Sequence, residues 1–136
     1  MGEEEVALVR RSLEVFISGD RDAGWSFWAD DAVGIPPADW PEGGELRGRD
    51  AIRRQFDGWN AVFGEEWTRS MRIEALRDLG DGRILAELGF ESTGAGSGVR
   101  LADQELAAIY TVRGEEIVHG DFFMGWRAAR EAAGLE

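Results

Sequence analysis

Cysteine and lysine are both absent from this 136-residue sequence, and histidine occurs once. Without cysteine there is neither a disulfide framework nor a thiol nucleophile. Without lysine, Schiff-base catalysis and the phosphate-loop lysine are excluded, and all 15 basic residues are arginine, which reads as a compositional bias. A lone histidine, His119, cannot build a multi-histidine metal site. Long apolar runs are missing too: none approaches the ~20 residues that a membrane-spanning helix needs. Met1-Gly2-Glu3-Glu4-Glu5 lacks the basic and apolar regions of a secretory signal, and Val6 stands where a myristoylation signal requires Ser or Thr. A cytoplasmic location is the resulting default expectation. Positive charge is scarce, at 15 basic against 27 acidic residues and a net charge of −12. That balance argues against nucleic acid as a partner, because phosphate binding needs a cationic face.

What is present is a hydrophobic fraction of 43%, with six tryptophans and seven phenylalanines. A chain of this length buries roughly 70% of its unfolded surface, so one domain spanning residues 1–136 is expected. Glu3–Ser18 has helical spacing at Val6, Val9, Leu13, Phe16 and Ile17, with acids in its first turn. Gly19 stops it, and Asp20 can cap a second helix near Arg21–Ala29 that carries Trp25, Phe27 and Trp28. A short strand, Ala32–Ile35, runs into a Pro- and Gly-rich loop with Trp40 in its middle, placed as a plug or lid. Gly48–Phe63 is helical, with Ile52, Phe56, Trp59 and Phe63 on one stripe. Four strands follow, at Trp67–Leu79, Arg83–Ser92, Val99–Arg113 and Glu116–Met124, before a short helix over Arg127–Ala133. Helices followed by a strand meander give an α+β fold: a curved antiparallel sheet covered by N-terminal helices, with a pocket between the layers.

Alternation divides the strands into two faces. Ile84, Leu88, Phe90, Leu106, Ala108, Phe122 and Met124 are assigned to the concave, helix-covered side, since burying Glu87, Glu91, Asp103 and Glu105 there unpaired would cost more than the apolar burial returns. Gln104 and Tyr110 are then the polar groups aimed inward, each able to orient an otherwise apolar ligand or to satisfy its neighbours. His119 and Asp121 stand two apart on the mixed face of the last strand with Ile117 and Phe123. They read either as an acid–base pair or as a surface histidine beside an acid. The four carboxylates read as a hard-cation cluster or as a solvated face paired with Arg69, Arg72 or Arg100. Gly94–Gly98 is a hairpin turn, because no helix follows on which a phosphate could rest. The remaining apolar surface of the mixed face is expected to meet solvent in part and a second subunit in part.

The run SGDRDAGWSFWADDAV (Ser18 to Val33), GRDAIRRQF (Gly48 to Phe56), and SGVRL, AAIYTVRGEEIVHGDFF and AAREAAGL in the last third together resemble the SnoaL-like polyketide cyclase family of the nuclear transport factor 2-like superfamily. The resemblance spans nearly the whole chain and implies a cone-shaped, cystatin-like α+β barrel and a homodimer. For function it is less specific, since the superfamily holds cyclases, isomerases, epoxide hydrolases, dehydratases and non-catalytic members. Carried over residue by residue, the general-base aspartate of ketosteroid isomerases falls near Pro36 and their second aspartate near Ala108. The arginine and aspartate of limonene epoxide hydrolases fall on Leu88 and Phe90. The aspartate of the last strand, at which level the cyclases place their acid–base group, falls on Phe122. Each of these positions is apolar or proline, and only a bulge at Gly89 or Gly120 would turn Asp121 inward. The first reading is a domain of non-catalytic or unassigned role that binds a small apolar or aromatic molecule with Trp25, Trp28, Trp40, Phe90, Gln104, Tyr110, Phe122 and Met124. An isomerase or cyclase using Asp121 and His119 is the second, and a homo- or hetero-association module the third. No metal, nucleotide or flavin cofactor is implied.

Overall fold

The computed structural model describes residues 2–37, 44–63, 67–93 and 100–135. Helix α1 runs Glu3–Ile17 and buries Val9, Ser12, Leu13 and Phe16, with Glu3, Glu4 and Glu5 at the positive end of its dipole. Asp20 accepts a hydrogen bond from the Ala23 amide at 3.1 Å and so caps α2, which is only Arg21–Trp25. The expected longer helix stops there because the sheet claims the chain. The Ile117 amide donates to the Phe27 carbonyl at 2.8 Å, and Trp28 is already the first residue of strand β1, Trp28–Ile35. A two-residue strand, β2 (Leu46–Arg47), pairs with β1 and was not marked by any alternation. Helix α3, Arg49–Phe63, follows and buries the whole expected stripe of Ile52, Phe56, Trp59 and Phe63.

Strands β3 (Arg72–Gly80), β4 (Arg83–Thr93), β5 (Arg100–Arg113) and β6 (Glu116–Phe123) form the meander, and α4 (Trp126–Ala132) closes it. The curved, unclosed sheet has the order β2-β1-β6-β5-β4-β3. It is mixed and not wholly antiparallel as expected, because β1 reaches β6 by way of the helical layer and pairs with it in parallel. Two glycines allow close layer contact. A Cβ on Gly34 would lie 2.9 Å from Ile52, and one on Gly120 would lie 2.8 Å from the Trp28 ring. Their absence lets α3 settle on β1 and the Trp28 indole settle on β6.

The main core lies on the helix-covered face, where Ile84, Leu88, Phe90, Leu106, Ala108, Tyr110 and Phe122 meet α1, α2 and α3. A smaller core of Leu85, Ala107 and Ile109 occupies the other face under Ala129 of α4. The apolar part of the mixed face is thus partly covered by the chain's own C-terminal helix. β6 does carry a bulge, though at neither glycine where one was considered. Thr111 pairs with His119 while Val112 pairs with Ile117, which leaves Val118 as the extra residue. The bulge rotates Ile117 into the main core, where it is 1% exposed, contrary to its expected place on the mixed face. Beyond it, Tyr110 pairs with Gly120 and Ile109 with Asp121 in regular register. Met124 was expected on the concave side but lies past the end of β6 and is 40% exposed, since the chain turns at Gly125.

Candidate internal binding site

Where α1 and α2 cross the sheet, a cavity is lined by Ser12, Leu13 and Phe16 of α1, Gly24 and Trp25 of α2, Trp28 of β1 and Phe56 of α3. Met71, Leu88, Leu106, Ala108, Tyr110 and Phe122 form its sheet side. Its aromatic rings brace one another. Trp25 meets Phe56 edge-on at 5.2 Å between centroids, Trp28 meets Tyr110 edge-on at 5.7 Å, and Phe56 meets Phe122 at 5.1 Å. These are the favoured separations for ring quadrupoles. The space left for the centre of a water-sized sphere is about 20 Å³. One water needs roughly 10–15 Å³ on that measure, so the interior is close to fully packed.

The polar atoms in this lining are few. Ser12 Oγ donates to the Gly24 carbonyl at 3.4 Å. The Tyr110 phenol is pushed well above its usual pKa by burial, so it stays neutral. Trp25 Nε1 is buried and has no hydrogen-bond partner among the described residues. An indole N–H can only donate, and leaving one buried without an acceptor costs about 1–3 kcal/mol. Among the described residues, none that lines the cavity is a carboxylate or an imidazole.

The conspicuous ionisable groups lie on the other side of the sheet. His119 Nε2 and Asp121 Oδ1 are 2.9 Å apart, each side chain about one-third exposed. Asp121 shares its register position with Ile109 of the outer core, so the pair faces away from the cavity. Three of the four carboxylates of β4 and β5 have separate duties. Glu87, only 2% exposed, is gripped by Arg130 of α4, whose Nη2 donates to Oε1 at 2.9 Å and whose Nε donates to Oε2. That bond pushes the Arg130 guanidinium further up, keeping it charged. Glu105 Oε1 accepts the Trp126 amide at 3.0 Å and so caps α4, while Asp103 lies 3.9 Å from Arg72. No group of three or more such side chains with metal-binding placement occurs among the described residues.

The sequence profile of the SnoaL-like domain matches residues 9–120. The chain belongs to the SnoaL-like domain family. No curated protein sequence matches it. Among solved structures, a nuclear transport factor 2-like protein from Burkholderia thailandensis superposes with a TM-score of 0.72 at 23% identity, covering 94% of this chain and 95% of that one. TerC, co-crystallised with polyporic acid, gives 0.71 at 18% identity over 97% and 99%. A protein of ketosteroid isomerase-like fold from Catenulispora acidiphila, in complex with trimethylamine, gives 0.68 at 19% over 95% and 93%. At these identities the likeness establishes the fold.

Within this SnoaL-like domain, Trp25, Trp28, Tyr110 and Phe122 are brought together around the cavity. Phe90 is fully buried but sits apart, against Phe63 at 5.1 Å and Trp67 at 5.4 Å. Gln104 is half-buried opposite Phe90 and outside the lining, Met124 is exposed, and Trp40 falls outside the described residues. The positions to which family resemblance assigned catalytic groups are instructive, since Leu88, Ala108 and Phe122 all line the cavity and are all apolar. Sequence reasoning missed Ser12 and Met71. Ser12 had a readable signal, as the one polar residue on the buried stripe between Val9 and Phe16. Met71 had none, because the chain turns through Trp67–Ser70 before β3 starts.

Proposed function

We propose that this SnoaL-like domain binds a small, uncharged apolar or aromatic molecule between its α1–α2 hairpin and the sheet. The observation that carries the reading is a cavity lined by Trp25, Trp28, Phe56, Tyr110 and Phe122, with no carboxylate or imidazole among the described residues of its lining. An ionised ligand would be desolvated there with no charge to compensate it. About 20 Å³ of free space is far below what a ring-bearing ligand needs, so binding proceeds by repacking the lining rings and lifting the hairpin. Saturable tryptophan-fluorescence and calorimetric responses to a panel of uncharged mono- and bicyclic aromatics are expected. Their absence across the panel, in the intact protein, overturns the reading.

Proton-transfer catalysis is the weaker reading. It would require an inward base, and both His119 and Asp121 share the outer face with Ile109. The homodimer implied by family resemblance stands as part of the proposal. Its surface would be the outer face beside α4, where Val33, Ile35 and Phe123 are half-buried. Light scattering on the eluting protein tests it, with a monomer at micromolar concentration as the opposing result.

A further inference from the structure

We infer that the ion pair between Asp22 of α2 and Arg53 of α3 is a salt-sensitive latch, which holds the α1–α2 hairpin shut against α3 and sets how often it lifts. Its role as a gate to the cavity rests on the binding reading above, whereas the latch itself can be measured without a ligand.

Arg49 and Arg53 stand one turn apart on α3, and so share a face. They grip successive stretches of the chain. Arg49 donates to the Trp28 carbonyl at 3.2 Å and lies 2.8 Å from Asp30, both residues of β1. Arg53 Nη2 donates to Asp22 Oδ1 of α2. Between these two grips the chain changes its attachment. From Phe27 onward it is bound to the sheet, since the Phe27 carbonyl accepts the Ile117 amide at 2.8 Å. Before Phe27, α2 turns its backbone bonds inward, as from the Gly24 amide to the Asp20 carbonyl at 3.0 Å. The hinge therefore falls at Ser26-Phe27. Arg49 holds its fixed side and Arg53 its moving side.

The two helices of the hairpin move together. Gly24 lies so close on α1 that a Cβ there would stand 3.0 Å from the Phe16 Cβ and 3.2 Å from its Cα, and Ser12 Oγ donates to the Gly24 carbonyl. A tie on α2 thus restrains α1 as well. Phe16 and Trp25 also meet Phe56 of α3 edge-on, at 5.9 and 5.2 Å, and salt does not screen such contacts. It does screen the pair, because the Asp22 and Arg53 side chains are 82% and 38% exposed. Exposure also limits the pair to shifting an equilibrium up to about fivefold. That suffices to tune how often a hairpin lifts without deciding whether the protein folds.

The test is amide exchange of the intact, ligand-free protein, read by mass spectrometry. An undocked helix of this length is marginal in water, so its amides exchange when it lifts. In Arg53→Met, which keeps an apolar stem and removes the charge, exchange across both α1 and α2 should quicken about two- to fivefold. Amides of α4, whose local opening leaves the pair intact, should not change. Asp22→Asn should match Arg53→Met, and the double variant should add nothing further. Raising sodium chloride from about 0.02 M to about 1 M should quicken the hairpin in the unaltered protein and not in Arg53→Met. Unchanged exchange in both single variants, or a change confined to α2, would overturn the latch. The gate is read from the stopped-flow binding rate of uncharged N-phenyl-1-naphthylamine, which should rise in Arg53→Met by the factor seen in exchange. An unchanged rate beside quickened exchange would overturn the gate. Failure of this probe to bind counts against the binding reading, and the exchange result still decides the latch.

Discussion

Tyr110 is the only tyrosine in the chain, so its ionisation can be followed without assignment. Burial among Trp28 and Phe122 raises its pKa, which means the folded state holds the phenolic proton where the unfolded chain would release it. Below the unfolded value of about 10 both states are protonated and this residue adds no slope. Above it the unfolded chain binds fewer protons, and stability falls by about 1.4 kcal/mol per pH unit until the folded phenol also ionises. Near-ultraviolet titration should therefore show no tyrosinate at pH 10 to 11 in the folded protein, appearing only with unfolding; ordinary ionisation near pH 10 would contradict the burial. Gly120 offers a second residue-scale check. A Cβ there would stand 2.8 Å from the Trp28 ring and 3.2 Å from the Phe122 ring, both walls of the cavity. Gly120→Ala should lose about 1–3 kcal/mol by overpacking, read from the denaturant midpoint, and should alter tryptophan emission as Trp28 is displaced.

At the scale of elements, α4 is held to the outer face by directed polar bonds as much as by its small apolar stripe. Arg130 clasps the buried carboxylate of Glu87, Glu105 caps the first amide, and the Trp126 indole donates to Leu88 of β4. Removing one partner strands a charge, whereas removing both replaces it with apolar surface. Arg130→Met should thus lower the denaturant midpoint more than the double variant Glu87→Leu with Arg130→Met, a difference that a double-mutant cycle measures directly. If the single and double variants were equally unstable, the clasp would not be what seats α4. The elements also show what their sequences conveyed. The α3 stripe and the faces of β4 and β5 were legible because burial on one side imposes strict periods of 3.6 and 2. The end of α2 was not, since the Phe27 carbonyl is claimed by β6 some ninety residues away. Ile117 was misassigned for a related reason: a bulge breaks the period of 2 and leaves no mark in composition. The inward places of Trp25, Trp28, Tyr110 and Phe122 could be read from pattern, while Met124 departs past the end of β6 and Gln104, paired with Phe90 beside a register shift within β5, stays outside the lining.

For the molecule as a whole, the two layers differ in how they are tied down. The sheet is held by continuous ladders from β3 through β6, with a further core and α4 behind it. The α1–α2 hairpin rests on the front through side-chain packing and carries Ser12, Phe16 and Trp25 into the cavity wall. Since the free space is about 20 Å³, admitting a ring system requires one layer to give way, and the layer without ladder bonds opens at lower cost. A ligand that binds the opened form and then closes it should suppress that opening. In the free protein, amides of α1 and α2 should exchange faster than the central amides of β4 and β5, which report global unfolding, and saturation should slow both layers by at most the overall linkage of about 2.7 kcal/mol at a hundredfold excess over Kd. Mass spectrometry of exchanged peptides with and without ligand separates the two. Equal protection of both layers in the free protein would mean that the helices never lift independently, and that the ligand enters a cavity formed by rotation of its rings alone.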